Sequence, residues 1–209
     1  RFPRGTLVVA AAVVAVLVGL GIGLPLALSS SGGHATRTGV EPISALGKLV
    51  APPALGSPGP EGPPLESGPD LAPAASPPPG GSVDGISCDA GEQLLFHIHA
   101  RLTIFVDGRS VRIPAGVGIA DPQAVQSPRG TVVESGSCFS WLHTHADDGV
   151  VHIESPVQRR FTLGDFFDIW SQPLSKSQVG PAKGRVTALV GNRVWLGDPG
   201  EIRLRAHRQ

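Results

Sequence analysis

The stretch LLFHIHARLTIFVDGRSVRIP, residues 94–114, constrains the fold more than any other part of the chain. Phe96, Ile98, Ala100, Leu102, Ile104 and Val106 alternate with His97, His99, Arg101 and Thr103. A period of two places the first set on one face of a β-strand and the second on the other. Asp107-Gly108 then separates two β-prone runs, the signature of a two-residue hairpin turn. Such a turn pairs Val106 with Arg109 and Ile104 with Val111.

A second histidine-rich run, FSWLHTHADDGVVHIESP at 139–156, follows the same logic. FSWLHTH and VVHIES are expected as two short strands around Ala146-Asp147-Asp148-Gly149. If Asp148-Gly149 is the tight turn, His145 opposes His152 and His143 opposes Glu154. If all four residues form the loop, His143 opposes His152 and Trp141 opposes Glu154. Both loops hold an even number of residues, so His143, His145, His152 and Glu154 emerge on one face in either register. Directly opposed side chains have Cβ atoms about 5 Å apart, close enough to share an ion. We expect the two histidine runs to face one another.

Further along, TLGDFFDIW at 162–170 reads as a helix, with Thr162 as N-cap and Asp165 three residues on, as in a capping box. RVTALVGNRVWLG is expected to be a hairpin turning at Gly191-Asn192, and EIRLRA a last short strand. The expected class is mainly β (α+β), a small antiparallel sandwich or open barrel with one helix.

Residues 6–28, TLVVAAAVVAVLVGLGIGLPLAL, are apolar without a charge. At roughly 1.5 Å per residue a helix of this length crosses a hydrocarbon core of roughly 30 Å. Arg1 and Arg4 precede it, which predicts residues 1–5 on the cytoplasmic side and the remainder outside. A cleaved signal peptide is the alternative, but ALSSS at 27–31 matches a cleavage site poorly. The chain contains no methionine and begins at Arg1, so the initiator residue is expected upstream. Residues 29–82 are dominated by Pro, Gly, Ser and Ala and carry no aromatic residue. A disordered, partly extended linker is expected there. The β-rich domain is then expected over 83–206, which holds all three tryptophans and six of the seven phenylalanines. Outside the cytoplasm, Cys88 and Cys138 are expected to form a disulfide. Seventeen basic and seventeen acidic residues give no net charge, which argues against a nucleic-acid partner. The expected partner is the membrane, and the expected location is the cell membrane in single-pass form.

Five histidines lie between 97 and 152, all at alternating strand positions. Imidazole is largely unprotonated at neutral pH and is the commonest transition-metal ligand. His-x-His on a strand sends two rings to one side, and a carboxylate completes a donor set suited to zinc, copper, iron or nickel. The candidate ligands are His97, His99, His143, His145, His152 and Glu154, with zinc or copper the expected ion. Absence of methionine argues against soft Cu(I) and blue-copper sites. A pH switch built on clustered imidazoles, or plain structural hydrogen bonding, are the alternatives. Asp147 and Asp148 read as turn residues, and Arg101 as an ion-pair partner of Glu154. His34 and His207 lie in the linker and the tail.

HIHARLTIFVDG, RIPAGVGI, WLHTHADDGVVHIESP and FTLGDFFDIW together resemble a family of extracytoplasmic bacterial and archaeal proteins with no established activity. The resemblance covers most of residues 94–170 and implies the same domain type, often membrane-anchored. HTHADD is similar to the ligand run of metallo-β-lactamases, but Asp148 stands where that run needs a histidine. His143-x-His145 is similar to the first cupin motif, but Glu154 comes too late and the second motif is missing. The expected function is therefore a membrane-anchored extracytoplasmic domain that binds a divalent transition metal for binding, delivery or sensing. A metal-dependent oxygenase or hydrolase, with Glu154 or Asp147 as general base, is the rival. A structural or adhesion module with incidental histidines is the third possibility.

Overall fold

The computed structural model describes residues 7–11, 40–42 and 56–206. Among the described residues the chain is mainly β with one α-helix, as the alternation implied. The strand Phe96–Val106 is the axis of the principal sheet. Along one edge it pairs first with Val150–Ser155 and then with Arg109–Val111. Along the other it pairs with Leu7–Ala11, and the sheet continues through Val186–Val190 and Arg193–Trp195 to Val40–Pro42. All of these pairings are antiparallel except Leu7–Ala11 with Val186–Val190.

The hairpin at Asp107-Gly108 forms as expected. Val106 opposes Arg109 and Ile104 opposes Val111, and both turn residues take positive φ, 53° and 73°. The hairpin at Gly191-Asn192 also closes in the expected register, Val190 against Arg193. A second sheet runs Ser82–Val83, Ile86–Asp89, Cys138–Ser140, Ile119–Ala120. Its two middle strands carry the Cys88–Cys138 disulfide, with Cα atoms 5.4 Å apart. A smaller hairpin, Gln123–Ser127 with Gly130–Ser135, docks on the histidine run through Val133 N–H to His145 O.

The helix Leu163–Ile169 starts at a complete capping box. Asp165 N–H donates to Thr162 Oγ1 and Thr162 N–H donates to the Asp165 carboxylate, which uses two donors a helix start leaves free. Leu163, Phe166, Phe167 and Trp170 are buried against Leu102, Ile104, Leu142 and Ile153. Each large apolar side chain contributes roughly 1.5–3 kcal/mol on burial. This core lies on the side of the sheet away from the histidines, so the polar face of Phe96–Val106 is free for other chemistry.

Four expectations need correction or placement. The ordered unit begins well upstream of Val83. Leu71 is buried, Leu71 N–H donates to Arg112 O, and Trp170 Nε1–H donates to Pro73 O. Residues 56–82 are low in apolar content, but they borrow the domain's core and backbone groups instead of building their own. EIRLRA is not a ladder strand. It forms a 3-10 turn at Pro199–Glu201 and one bridge, Arg203 to Thr162, flanked by Leu163 N–H to Ile202 O and Leu204 N–H to Phe161 O. Of the expected span 6–28, Leu7–Ala11 is a strand and the rest lies outside the described residues, as do 29–39 and 43–55 of the expected linker. Among the described residues no helix is long and apolar enough to cross a membrane.

Two glycines set the position of the histidine hairpin. Gly118 has φ 75°, and a Cβ there would lie 2.3 Å from Leu142 O and 3.1 Å from His143 Cβ. Gly149 has φ 78°, and a Cβ would lie 2.2 Å from Leu102 O. Both positions combine a left-handed backbone with backbone approach that no rotamer change relieves. Gly118→Ala is therefore expected to lower stability by more than about 2 kcal/mol, read as a fall in the urea midpoint. An unchanged midpoint would show that the strand behind His143 can move aside.

Candidate metal centre

The register of three neighbouring strands assembles the cluster. His143 opposes His152, and His152 opposes His99 on the next strand, so three imidazoles stand in a row across the sheet. One step along, Glu154 opposes His97, and Glu154 N–H donates to Trp141 O. This is the second of the two expected registers. The two histidine runs are edge-to-edge neighbours in one sheet, not opposed layers, because the pairing of Val150–Ser155 with Phe96–Arg101 joins them directly. His145 leaves the ladder after His143 but returns to the same side, with its ring 4.6 Å from that of His152.

All six expected ligands, His97, His99, His143, His145, His152 and Glu154, therefore come together. Their donor atoms form overlapping groups in which all members lie within 4.8 Å of one another. His97, His99, His152 and Glu154 make one group; His143, His145 and His152 make another; Glu92, His143 and Glu154 make a third. These groups can hold a metal ion. The site runs from buried His143, His152 and Glu154 outward to exposed His97 and Glu92.

The tautomers of two rings follow from their partners. His143 Nδ1 is 2.8 Å from Ser140 O, and His145 Nδ1 is 2.6 Å from Val133 O. A carbonyl oxygen only accepts, so both Nδ1 atoms carry hydrogen and both Nε2 atoms point inward, 3.0 Å apart. Backbone carbonyls of this kind fix ring orientation in metal sites and leave Nε2 as the donor. Burial first, then the neighbouring His145 and His152, pull the His143 pKa down to about 3, so this ring is neutral and its lone pair available. Burial and the nearby His152 and His97 also lower His99.

His152 differs. Burial opposes its charge, but hydrogen bonds to Glu154 and Glu61 outweigh burial and raise its pKa to about 9. Its Nε2 lies 2.6 Å from Glu61 Oε1 and its Nδ1 3.1 Å from Glu154 Oε1. The Glu154 pKa is lowered: burial alone would raise it, but the His152 hydrogen bond and the surrounding imidazoles prevail. Glu154 Oε1 also lies 3.1 Å from His97 Nε2.

Two carboxylates in this neighbourhood escaped the sequence reading. Glu92 sits before the first histidine strand, 3.3 Å from His145 Nε2. It is an isolated acid in a loop, with no periodicity to mark it. Glu61 belongs to PGPEGPP, inside the expected linker. That segment is a strap: Leu65 N–H donates to Ser57 O, Glu66 N–H to Asp147 O, and Arg101 to Pro64 O. Its one signal was an acid set among prolines and glycines.

Arg101 does not pair with Glu154. It opposes Val150, four residues along the ladder from the His97–Glu154 pair, and its guanidinium donates to the carbonyls of Asp148 and Pro64. Asp147 pairs with Arg112 at 3.0 Å. Asp148 is a turn residue as expected, accepting from Val150 N–H, yet it is fully buried. Burial first and Glu61 second raise its pKa to about 6. Cys138 is held in the disulfide and is no ligand. A cavity of about 250 Å³ lined by Phe96, Ile98, Arg159, Phe161 and Arg203 opens on the other face of the long strand, away from the ligands.

Comparison of the chain with protein-family models, with curated proteins and with solved structures found no match.

Glu66, on the strap, yields a pH test. Burial pushes its pKa from the ordinary 4.5 to about 7, against the pull of Thr103 and Arg101. Between these values the folded chain keeps a proton that the unfolded chain has lost, so stability falls as pH rises through the window and levels off above it. The shift corresponds to about 3 kcal/mol at about 1.4 kcal/mol per unit. Glu66→Gln should match the wild type near pH 4.5 and exceed it at pH 8 in urea denaturation. Parallel stability curves for the two proteins would refute the buried acid.

Proposed function

We propose that this chain is a divalent-metal-binding domain, with zinc or copper as its ion, and that it binds, delivers or senses that ion outside the cytoplasm. The observation that carries the reading is the pair His143 and His145. Both rings have Nδ1–H committed to a backbone carbonyl, and both turn Nε2 into a cluster that already holds Glu154, His97 and His99. Nitrogen-rich donors with one carboxylate suit zinc and Cu(II) better than calcium or magnesium, which take oxygen. Lone pairs aimed at one another are costly alone and favourable around a cation.

The extracytoplasmic location is supported by the Cys88–Cys138 disulfide, which persists in oxidising compartments. The uncharged run 6–28 supports delivery there, and single-pass anchoring through all of it requires Leu7–Ala11 to leave the sheet.

Metal analysis of the purified full chain tests the main reading. Bound zinc or copper in stoichiometric amount is expected. His143→Ala and His152→Ala should each weaken binding by more than about tenfold, the scale seen when metal-site groups are removed. Excess zinc should raise the thermal midpoint of the wild type, since an ion that binds only the folded chain stabilises it by about 2.7 kcal/mol at one hundred times its Kd. A metal-free chain indifferent to both ions would end the proposal. Anchoring has its own test: the chain should remain in the membrane pellet after alkaline extraction. Release into the supernatant would leave the apolar run free to serve the sheet through Leu7–Ala11.

A further inference from the structure

We propose that the cluster is built for two ions, with Glu154 as the bridging carboxylate. This inference rests on the metal-binding reading above. It places one ion with His97, His99 and Glu154 Oε1, beside His152, and a second among His143, His145 and Glu92, with Glu154 Oε2 on the His143 side.

The grouping of the donor atoms carries the argument. The pair His97 and His99 never falls in one group with the pair His143 and His145. Each pair is self-contained, with Nε2 atoms 2.8 Å apart in the first and 3.0 Å apart in the second. The groups overlap only through His143, His152 and Glu154. A tetrahedral ion takes four ligands. One ion placed on His97 and His99 would leave the His143 and His145 lone pairs facing each other.

Glu154 supplies the second, independent observation. It is 3% exposed. Its Oε1 lies 3.1 Å from His97 Nε2 and from His152 Nδ1. Its Oε2 is buried, has no hydrogen-bond partner, and lies 3.9 Å from His143 Nε2. The carboxylate thus gives one oxygen to each pair, the arrangement by which a carboxylate joins two ions at roughly 3.5–4 Å. His152 lies between two carboxylates, Nε2 toward Glu61 and Nδ1 toward Glu154 Oε1. Glu92 approaches the second pair from its exposed edge and adds a charge there.

Ion counting on the full chain decides the matter. Zinc titration against a chromophoric chelator should end at two equivalents for the wild type. The double variant His97→Ala/His99→Ala should retain one equivalent, and His145→Ala should retain one. Loaded with two equivalents of Cu(II), the wild type should show an electron paramagnetic resonance spectrum of a coupled pair, with fewer detectable spins than copper ions. Glu154→Gln should weaken that coupling at unchanged near-ultraviolet circular dichroism. Saturation of the wild type at one equivalent, abolished alike by the variants of both pairs, would overturn the two-ion proposal and leave single-ion binding standing. No zinc or copper bound to the wild type would overturn both. Two equivalents of copper giving two independent spins would remove the bridge. The wild-type measurements need no variant to fold.

Discussion

The backbone pairing of Val150–Ser155 with its two neighbours is the constraint from which the site follows. Six residue pairs link it to Phe96–Arg101, and two link it to Leu142–His143. Those hydrogen bonds set His143, His152 and His99 in one transverse row, and Glu154 beside His97. A slip of one residue would send His152 and Glu154 into the core and Val151 and Ile153 into the cluster. The apolar set on the other face, Leu102, Ile104, Leu142 and Ile153 under Phe166 and Trp170, makes such a slip prohibitive. Hydrophobic burial on one side of the sheet thus aligns polar donors on the other, and the two faces need no direct contact to specify one another.

The cluster itself works against folding. It buries Glu154, His143, His152 and Asp148 together, and buried polar groups without full partners are destabilising. The chain meets this locally. Glu61 and Glu154 share the His152 imidazole between them, and carbonyls of Ser140 and Val133 hold the His143 and His145 rings in one tautomer. The strap over residues 56–66 brings Glu61 in and hangs on the Asp147 carbonyl and the Arg101 guanidinium. Glu154 Oε2, buried without a hydrogen-bond partner, lies where an ion would be bound. An unpartnered buried carboxylate oxygen among imidazoles, within a domain otherwise held by a well-packed core and a disulfide, is the kind of local exception that marks a functional site.

Much of this was legible in the residues. Alternation from Phe96 to Val106 gave the faces of the long strand, and Asp107-Gly108 gave its turn and register. The capping box at Thr162 and Asp165 and the pairing of Cys88 with Cys138 were also readable, because each depends on near neighbours or on there being two cysteines only. The histidine hairpin was readable up to a choice between two registers, since parity is unchanged by an even-numbered loop. The choice was made elsewhere, by Val133 and Val117 drawing His145 and Thr144 out of the ladder. Glu61 and Glu92 were not readable. Neither has periodicity, and Glu61 lies in a composition that ordinarily stays unfolded. Arg101 was assigned the wrong partner, because opposite charge suggested Glu154 while the ladder set Val150 across from it.

The sequence by itself determined which side chains share a face, where the chain turns, and that imidazoles and a carboxylate emerge together. These are properties of a backbone with a two-residue period, so they need only local information. Tertiary structure decided which strand lies beside which, how the donors divide into two pairs around Glu154, and that a proline-rich strap completes the surroundings of His152. Those outcomes depend on contacts between residues far apart in the chain; Glu61 and His152 are 91 positions apart. Such a contact forms when docking onto an existing core offsets the entropy of ordering the segment, and no local pattern records that balance.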